Sequence, residues 1–163
     1  MNHLFLVRHG LYSGPEQRLS EEGTRQVQEM GSIIARILAG NLAYIASSDS
    51  FRTWDTAHEL AKSVNLCKEM EVTNYLFDFN KEVYPACMNN SLTFINQRRD
   101  YAPGLILVTH MDIADCMANW FVKKEFGLEY QSRVHTRPNY GEAIHIDLEK
   151  RTWEMLSHGL DRA

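Results

Sequence analysis

Two short apolar runs, far apart in the chain, each lead directly into a histidine. Residues 4–7 are followed by Arg8-His9-Gly10, and residues 105–108 are followed by Thr109-His110. A run of four apolar residues is typical of a short strand that is buried on both faces of a sheet. In an open α/β sheet, ligands bind at the edge where the parallel strands end. The two histidines are therefore predicted to converge on one site.

The composition limits the classes of partner. The 163 residues are 44% hydrophobic and 23% charged, with a formal net charge of −4. This is enough chain for one domain with a full core, and we expect residues 1–163 to form it. The net charge predicts neither a nucleic-acid partner nor a membrane partner. An anionic substrate would have to be held by a local cluster of cations.

The cysteines and the N-terminal apolar run bear on the compartment. The chain has an odd number of cysteines, and none of them has CxxC spacing: they are Cys67, Cys87 and Cys116. They indicate neither a disulfide framework nor a metal site, and they favour a reducing environment. The N-terminal run is too short for a signal-peptide core. These features predict a cytoplasmic protein.

The order of the elements predicts the fold class. Four strand-helix units follow one another, and the last strands, at 144–148 and 152–156, alternate apolar and polar residues as a hairpin does. Helices are expected after Ser20, after Ser48-Asp49-Ser50, after Ser91 and after His110, whereas residues 73–90 resemble a loop. The pattern predicts an α/β fold, a three-layer αβα sandwich whose mostly parallel sheet ends in a C-terminal antiparallel hairpin.

Four residues stand at the ends of predicted strands. Arg8 and His9 follow the first strand, Arg52 lies in the first turn of the helix after the second, and His110 follows the fourth. Two guanidiniums and two imidazoles at one edge suit a tetrahedral oxyanion, and phosphate above all, because the planar arginine fork binds phosphate with two hydrogen bonds. The alternative for Arg52 is a surface ion pair with Asp49 or Asp55.

With these motifs the chain resembles the histidine phosphatase superfamily, also called phosphoglycerate mutase-like. Its short length is similar to the small bacterial phosphohistidine phosphatase branch. The motifs occur in the expected order as far as His110. They are Leu6-Val7-Arg8-His9-Gly10, Leu19-Ser20-Glu21-Glu22-Gly23 with Arg25 and Gln26, Ser47-Ser48 with Arg52 and Thr56-Ala57, and Val108-Thr109-His110.

The resemblance implies a mechanism without a metal or other cofactor. His9 would attack phosphorus and carry the phosphoryl group as phosphohistidine. Arg8, Arg52 and His110 would hold the phosphoryl oxygens. A carboxyl group would protonate the leaving oxygen and then activate water. Glu82 matches the residue type that larger members use, whereas Asp78, between two phenylalanines, is placed where desolvation raises a pKa.

Two positions depart from the pattern of the family. The loop after Gly10 contains Ser13 as its candidate phosphate contact, and Met111 stands where a glycine usually follows the second histidine. Both are therefore candidate substrate-binding residues, together with Asp78.

The expected activity is hydrolysis of a phosphorylated small molecule (a phosphomonoester) or of phosphohistidine on a phosphoprotein. The alternatives are a phosphoglycerate-type mutase and a catalytically silent relative that binds phosphorylated ligands.

Overall fold

The computed structural model describes residues 1–76, 84–128 and 137–160, without the side chains of Tyr75 and residues 84–88. Its strands form one main sheet and one small hairpin. The strands are β1 (His3–Arg8), β2 (Tyr12–Ser13), β3 (Arg18–Leu19), β4 (Leu42–Ser47), β5 (Asn65–Leu66), β6 (Glu71–Val72), β7 (Gly104–Thr109), β8 (Ala143–Asp147) and β9 (Thr152–Leu156).

The main sheet has the order β5-β4-β7-β1-β8-β9, and β6 also pairs with β4. Strands β5, β6, β4, β7 and β1 pair in parallel, whereas β8 pairs antiparallel with both of its neighbours, β1 and β9. In the register, Arg8 is opposite Thr109 and Ser47 is opposite Val108, so β1, β4 and β7 end at the same level. The residues that the sequence predicts to bind phosphate come after these strands, at this common edge of the sheet.

Helices cover both faces of the sheet. They are α1 (Glu21–Leu38), α2 (Phe51–Ala61), α3 (Tyr84–Gln97) and α4 (Met111–Phe126). Alternate strand residues point to opposite sides: Leu4 and Leu6 belong to one buried cluster with residues of α3 and α4, and Phe5 and Val7 to another with residues of α1 and α2. The predicted αβα sandwich with a mostly parallel sheet and an antiparallel C-terminal hairpin is therefore confirmed.

Helix α3 begins earlier than predicted. The sequence indicated a loop as far as residue 90 with Ser91 as the cap, but the helix starts at Tyr84 and Ser91 lies buried within it. Pro85 suggested a loop, yet proline is tolerated in the first turn of a helix, where its missing N–H has no partner to lose. The sequence also favours one short strand at 67–72, but the structure has the two-residue strands β5 and β6 on either side of residues 67–70 instead.

Candidate active site

The loop that carries His9 packs closely against the start of α1. A Cβ atom on Gly10 would lie 2.8 Å from the Gly23 carbonyl oxygen, and one on Gly23 would lie 1.9 Å from the Leu11 carbonyl oxygen. Only glycine fits at either position. The backbone N–H of Ser20 donates to the Leu11 carbonyl at 3.0 Å, and the Ser20 hydroxyl accepts from the Gly23 N–H at the helix start. Close backbone contact therefore fixes the turn after His9.

The structure brings Arg8, His9, Arg52 and His110 together at the common edge of the sheet. The Arg52 Nε–H donates to His9 Nε2 at 3.2 Å, and Arg52 Nη2 lies 3.4 Å from His110 Nδ1. The two imidazole rings meet edge to face, with their centroids 5.3 Å apart. The structure does not show the surface ion pair that is the alternative for Arg52. Its guanidinium contacts the two histidines, and Asp55 instead pairs with Arg18 at 2.9 Å.

The hydrogen bonds of His9 define which ring nitrogen holds the proton. Its Nδ1 lies 2.9 Å from the Gly10 carbonyl oxygen, which can only accept, so Nδ1 carries the proton. Nε2 then presents a lone pair and accepts from Arg52. Burial lowers the pKa of His9 to about 3, with His110 and the two arginines acting in the same direction and the Gly10 carbonyl opposing them. His9 is therefore a neutral imidazole at neutral pH, with an unprotonated Nε2 that faces Arg52.

His110 is held in the opposite tautomer. Its Nδ1 faces the Arg52 guanidinium, which can only donate, so Nε2 carries the proton and donates to the Ser48 hydroxyl at 3.2 Å. Burial, followed by Arg52 and Arg8, lowers the pKa of His110 to about 4. A bound phosphate dianion would oppose these effects, because negative charge close to an imidazole favours its protonated form.

Arg8 is positioned by contacts on both sides of its guanidinium. Nη1 donates to the Pro138 carbonyl at 3.1 Å and to the Met111 sulfur at 3.6 Å. The guanidinium carbon lies 3.7 Å from the centre of the Tyr140 ring. Its Nε is buried and has no hydrogen-bond partner among the described residues. A donor in this state, near His9, is suited to an oxygen of a bound anion.

The other predicted site residues are placed differently. Met111, the first residue of α4, contacts Arg8 and so lies at the site. Ser13 is exposed on β2, and the described part of the chain shows no hydrogen bond between its side chain and the four site residues. Asp78 and Glu82 lie outside the described residues. Met111 is therefore a neighbour of Arg8 at the common edge of the sheet, whereas Ser13 as a candidate phosphate contact stays a prediction.

Two tyrosines and a glutamine complete the surroundings. The rings of Tyr12 and Tyr140 lie 5.4 and 5.5 Å from that of His9, measured between centroids. Gln17, in the turn between β2 and β3, accepts a hydrogen bond from Arg52 Nη1. Tyr12 was not predicted as a site residue, although its place in the loop after Gly10 could have indicated it. Tyr140 was not found, because it is at the end of a stretch without a periodic pattern.

The described part of the site is cationic and polar, without a carboxylate bonded to the four central side chains. Such a site can bind a tetrahedral oxyanion and place its central atom in front of His9 Nε2. Within residues 1–76, 84–128 and 137–160, no three histidine, cysteine or acidic side chains are grouped as metal ligands. The helices of these same ranges include none that is long and apolar enough to cross a bilayer.

Comparison with known proteins relates residues 4–81 to one protein family. Residues 4–81 match the sequence model of the histidine phosphatase superfamily, branch 1. The matched segment contains Arg8, His9 and Arg52, and His110 lies beyond it. A comparison with curated protein sequences gave no significant match.

Similar solved structures share the fold over nearly their whole length. A protein from Agrobacterium tumefaciens that carries the name phosphohistidine phosphatase SixA is 14% identical, with a TM-score of 0.67 and 96% of each chain covered. A mycobacterial glucosyl-3-phosphoglycerate phosphatase is 15% identical, with a TM-score of 0.62 over 96% of this chain and 98% of that one. The phosphoglycerate mutase of Plasmodium falciparum is 17% identical, with a TM-score of 0.57 over 96% and 89% of the two chains. At these identities the likeness establishes the fold and leaves the substrate open.

Proposed function

We propose that the protein is a metal-independent phosphatase that works through a phosphohistidine on His9. The observation that carries this proposal is the state of His9: a neutral ring whose Nδ1–H is bonded to the Gly10 carbonyl and whose Nε2 meets Arg52. A nucleophilic imidazole needs an unprotonated nitrogen, and burial keeps Nε2 of His9 unprotonated at neutral pH. A bound phosphoryl group would take the Arg52 guanidinium as its own partner and so release the Nε2 lone pair.

In the first step, the Nε2 lone pair of His9 forms a bond to phosphorus as the bond from phosphorus to the leaving oxygen breaks. The guanidiniums of Arg8 and Arg52 and the imidazole of His110 receive the phosphoryl oxygens and stabilise their charge. In the second step, a water oxygen attacks phosphorus, the N–P bond breaks, and its electron pair returns to Nε2.

The proton that the leaving oxygen needs would come from Glu82, with Asp78 as the alternative. The carbonyl of Leu76, the last described residue before them, accepts a hydrogen bond from the Thr109 hydroxyl at 2.5 Å. Thr109 directly precedes His110. A residue two to six positions further along can therefore reach the site, since an extended chain advances about 3.3–3.6 Å per residue. The carboxyl group that loses its proton in the first step would accept one from water in the second.

We expect the substrate to be a phosphorylated small molecule or a phosphohistidine-bearing protein. Rapid-quench kinetics with 4-nitrophenyl phosphate tests the proposal. A burst of about one nitrophenolate per site, followed by slower turnover, is the signature of a covalent intermediate. Binding of phosphate without turnover of any phosphate ester would instead identify a silent binding protein. Interconversion of phosphoglycerates would identify a mutase.

A further inference from the structure

An open cleft adjoins the phosphate site on the side of Arg52. It consists of two neighbouring cavities of about 400 Å³ each, which share the residues Asp49, Ser50 and Phe51. Arg52 and Gln17 line the cavity nearer to the site, and Trp54 and Val72 line the other. Cavities of about 300–1,000 Å³ accommodate small organic ligands. The cleft therefore begins at a residue that bonds to His9 and extends away from it.

The walls of the cleft are apolar although they face solvent. Phe51 is 58% exposed, Val72 51% and Trp54 38%. Phe51 and Trp54 are three residues apart on α2 and so lie on one side of that helix. Grouped exposed hydrophobic side chains are unfavourable in water and commonly mark a binding surface. The roles proposed for the four central residues of the phosphate site do not involve these three side chains.

Arg18 places its planar guanidinium beside the two aromatic rings of the cleft. Its guanidinium lies 5.1 Å from the centre of the Phe51 ring and 5.7 Å from that of Trp54. An ion pair of 2.9 Å with Asp55 holds it there. Planar groups that are already ordered lose little conformational entropy when another planar group stacks on them.

We propose that this cleft is a subsite for a planar aromatic group of the phosphorylated substrate. The inference rests on the proposed phosphatase activity and names the substrate class. The phosphoryl group would bind between Arg8, Arg52 and His110, and the aromatic group would stack against Phe51, Trp54 and the Arg18 guanidinium. Asp49, exposed in both cavities, would accept a hydrogen bond from an N–H group of a heteroaromatic ring.

The test compares phosphate esters whose reacting ends are identical. Propyl phosphate, 3-phenylpropyl phosphate and 3-cyclohexylpropyl phosphate share an alkyl leaving group, so their differences in kcat/KM report binding of the distal group. Homologues with two to five methylene groups locate the spacing that fits best. We expect kcat/KM for the best phenylalkyl ester to exceed that for propyl phosphate by about tenfold or more, or 1.4 kcal/mol per factor of ten, and to exceed that for the cyclohexyl ester.

Substitutions in the cleft locate the effect. Phe51→Ala and Trp54→Ala should each reduce the preference for the phenylalkyl ester at least threefold and leave kcat/KM for propyl phosphate unchanged. Trp120→Ala, on α4, is the matched control, because Trp120 is a tryptophan of similar exposure (36%) outside the cleft. Equal kcat/KM values for all esters, or a phenyl preference that survives both cleft substitutions, would overturn the subsite.

Calorimetric titration with propylphosphonate and 3-phenylpropylphosphonate separates this proposal from the proposed function, because phosphonates are not hydrolysed. A phenyl preference in binding that Trp54→Ala removes, in a protein without hydrolytic activity, would support the subsite and contradict the phosphatase. Hydrolysis of all esters without any phenyl preference would contradict the subsite and leave the phosphatase standing.

Discussion

The sheet carries a pair of histidines at each end of β1, and in both pairs the ring centroids are 5.3 Å apart. His9 and His110 follow the carboxyl ends of β1 and β7, whereas His3 begins β1 and contacts His145 on the neighbouring β8. The two pairs have the same ring spacing but differ in the charge that surrounds them. Arginines flank the first pair, whereas carboxylates flank the second.

This difference in surrounding charge determines which imidazole nitrogens have a lone pair that a ligand can use. The Glu154 carboxylate can only accept, so His145 donates to it from Nδ1 at 3.1 Å, and His145 Nε2 accepts from His3 Nδ1 at 3.1 Å. Both nitrogens of His145 are thereby used in a structural chain, and its ring also stacks on Phe5. At the other end, the lone pair of His9 faces a guanidinium that a phosphate can engage. We infer that burial together with cationic neighbours, rather than the presence of two histidines, prepares His9 for its proposed role.

The largest expected difference between the pairs is in catalysis. His9→Ala should lower kcat for 4-nitrophenyl phosphate by at least about 10⁴-fold, because no neighbour can replace the nitrogen that bonds to phosphorus. His3→Ala, its counterpart in the structural pair, should retain kcat near that of the parent protein. Substantial turnover by a folded His9→Ala protein would contradict the assignment.

Loss of one proposed phosphate-binding side chain at this edge of the sheet should have the next largest effect. Arg52→Ala, Arg8→Ala and His110→Ala should each reduce kcat by about 10²–10³-fold, the scale for one preorganised oxyanion donor. Arg25→Ala is the control, because Arg25 pairs with Glu22 on the exposed face of α1. An Arg52→Ala protein with parental kcat and phosphate affinity would remove Arg52 from the site.

Substrates with leaving groups of different basicity test which residue acts as the general acid. Glu82→Gln should slow hydrolysis of an alkyl phosphate about 10²-fold or more and slow that of 4-nitrophenyl phosphate far less, because nitrophenolate departs without a proton. Asp78→Asn is the matched variant, and the same selective loss there, with Glu82→Gln normal, would transfer the role to Asp78. If neither variant shows this selective loss for the alkyl phosphate, the natural leaving group departs without protonation by an enzyme acid. Phosphohistidine, whose P–N bond is labile, is such a substrate.

The smallest expected effect is on stability. The pKa values of about 3 for His9 and about 4 for His110 lie below the ordinary value of 6.5. Below pH 6.5 the unfolded chain therefore binds protons that the folded protein does not, and the free energy of unfolding falls as the pH drops towards 4. Each histidine contributes up to about 1.4 kcal/mol per pH unit.

Urea denaturation at pH 7, 6 and 5 measures this loss. The double variant His9→Asn/His110→Asn should lose less free energy of unfolding than the parent protein over the same interval. An equal loss in both proteins would show that the two rings are not kept neutral by the fold.

Most of the fold followed from local patterns. The apolar runs at 4–7 and 105–108 predicted β1 and β7, and Ser20 predicted the start of α1. These predictions succeeded because burial and helix capping each select particular residue types at neighbouring positions. The strands of the β2–β3 hairpin, two residues each, are too short to show a period. The start of α3 was missed since proline indicates both loops and first turns of helices.

The site was predictable where it depends on strand ends and not where it depends on loops. Arg8, His9, Arg52 and His110 come together because the topology aligns the ends of β1, β4 and β7. Tyr140 and Gln17 reach the site through turns, whose paths a single sequence does not specify. The tautomer of His9 was equally inaccessible from sequence, because it depends on the contact of one ring nitrogen with one carbonyl oxygen.

The most direct test of the central claim is the position of the phosphoryl group on the trapped intermediate. Rapid acid-free quenching during turnover, followed by ³¹P NMR of the alkali-denatured protein and by peptide mapping, distinguishes Nε2-phosphohistidine from the Nδ1 isomer. Because Nδ1 of His9 is engaged by the Gly10 carbonyl, we predict one phosphoryl group on Nε2 of His9. Phosphate on Nδ1, on another residue, or on no residue during active turnover would contradict the account.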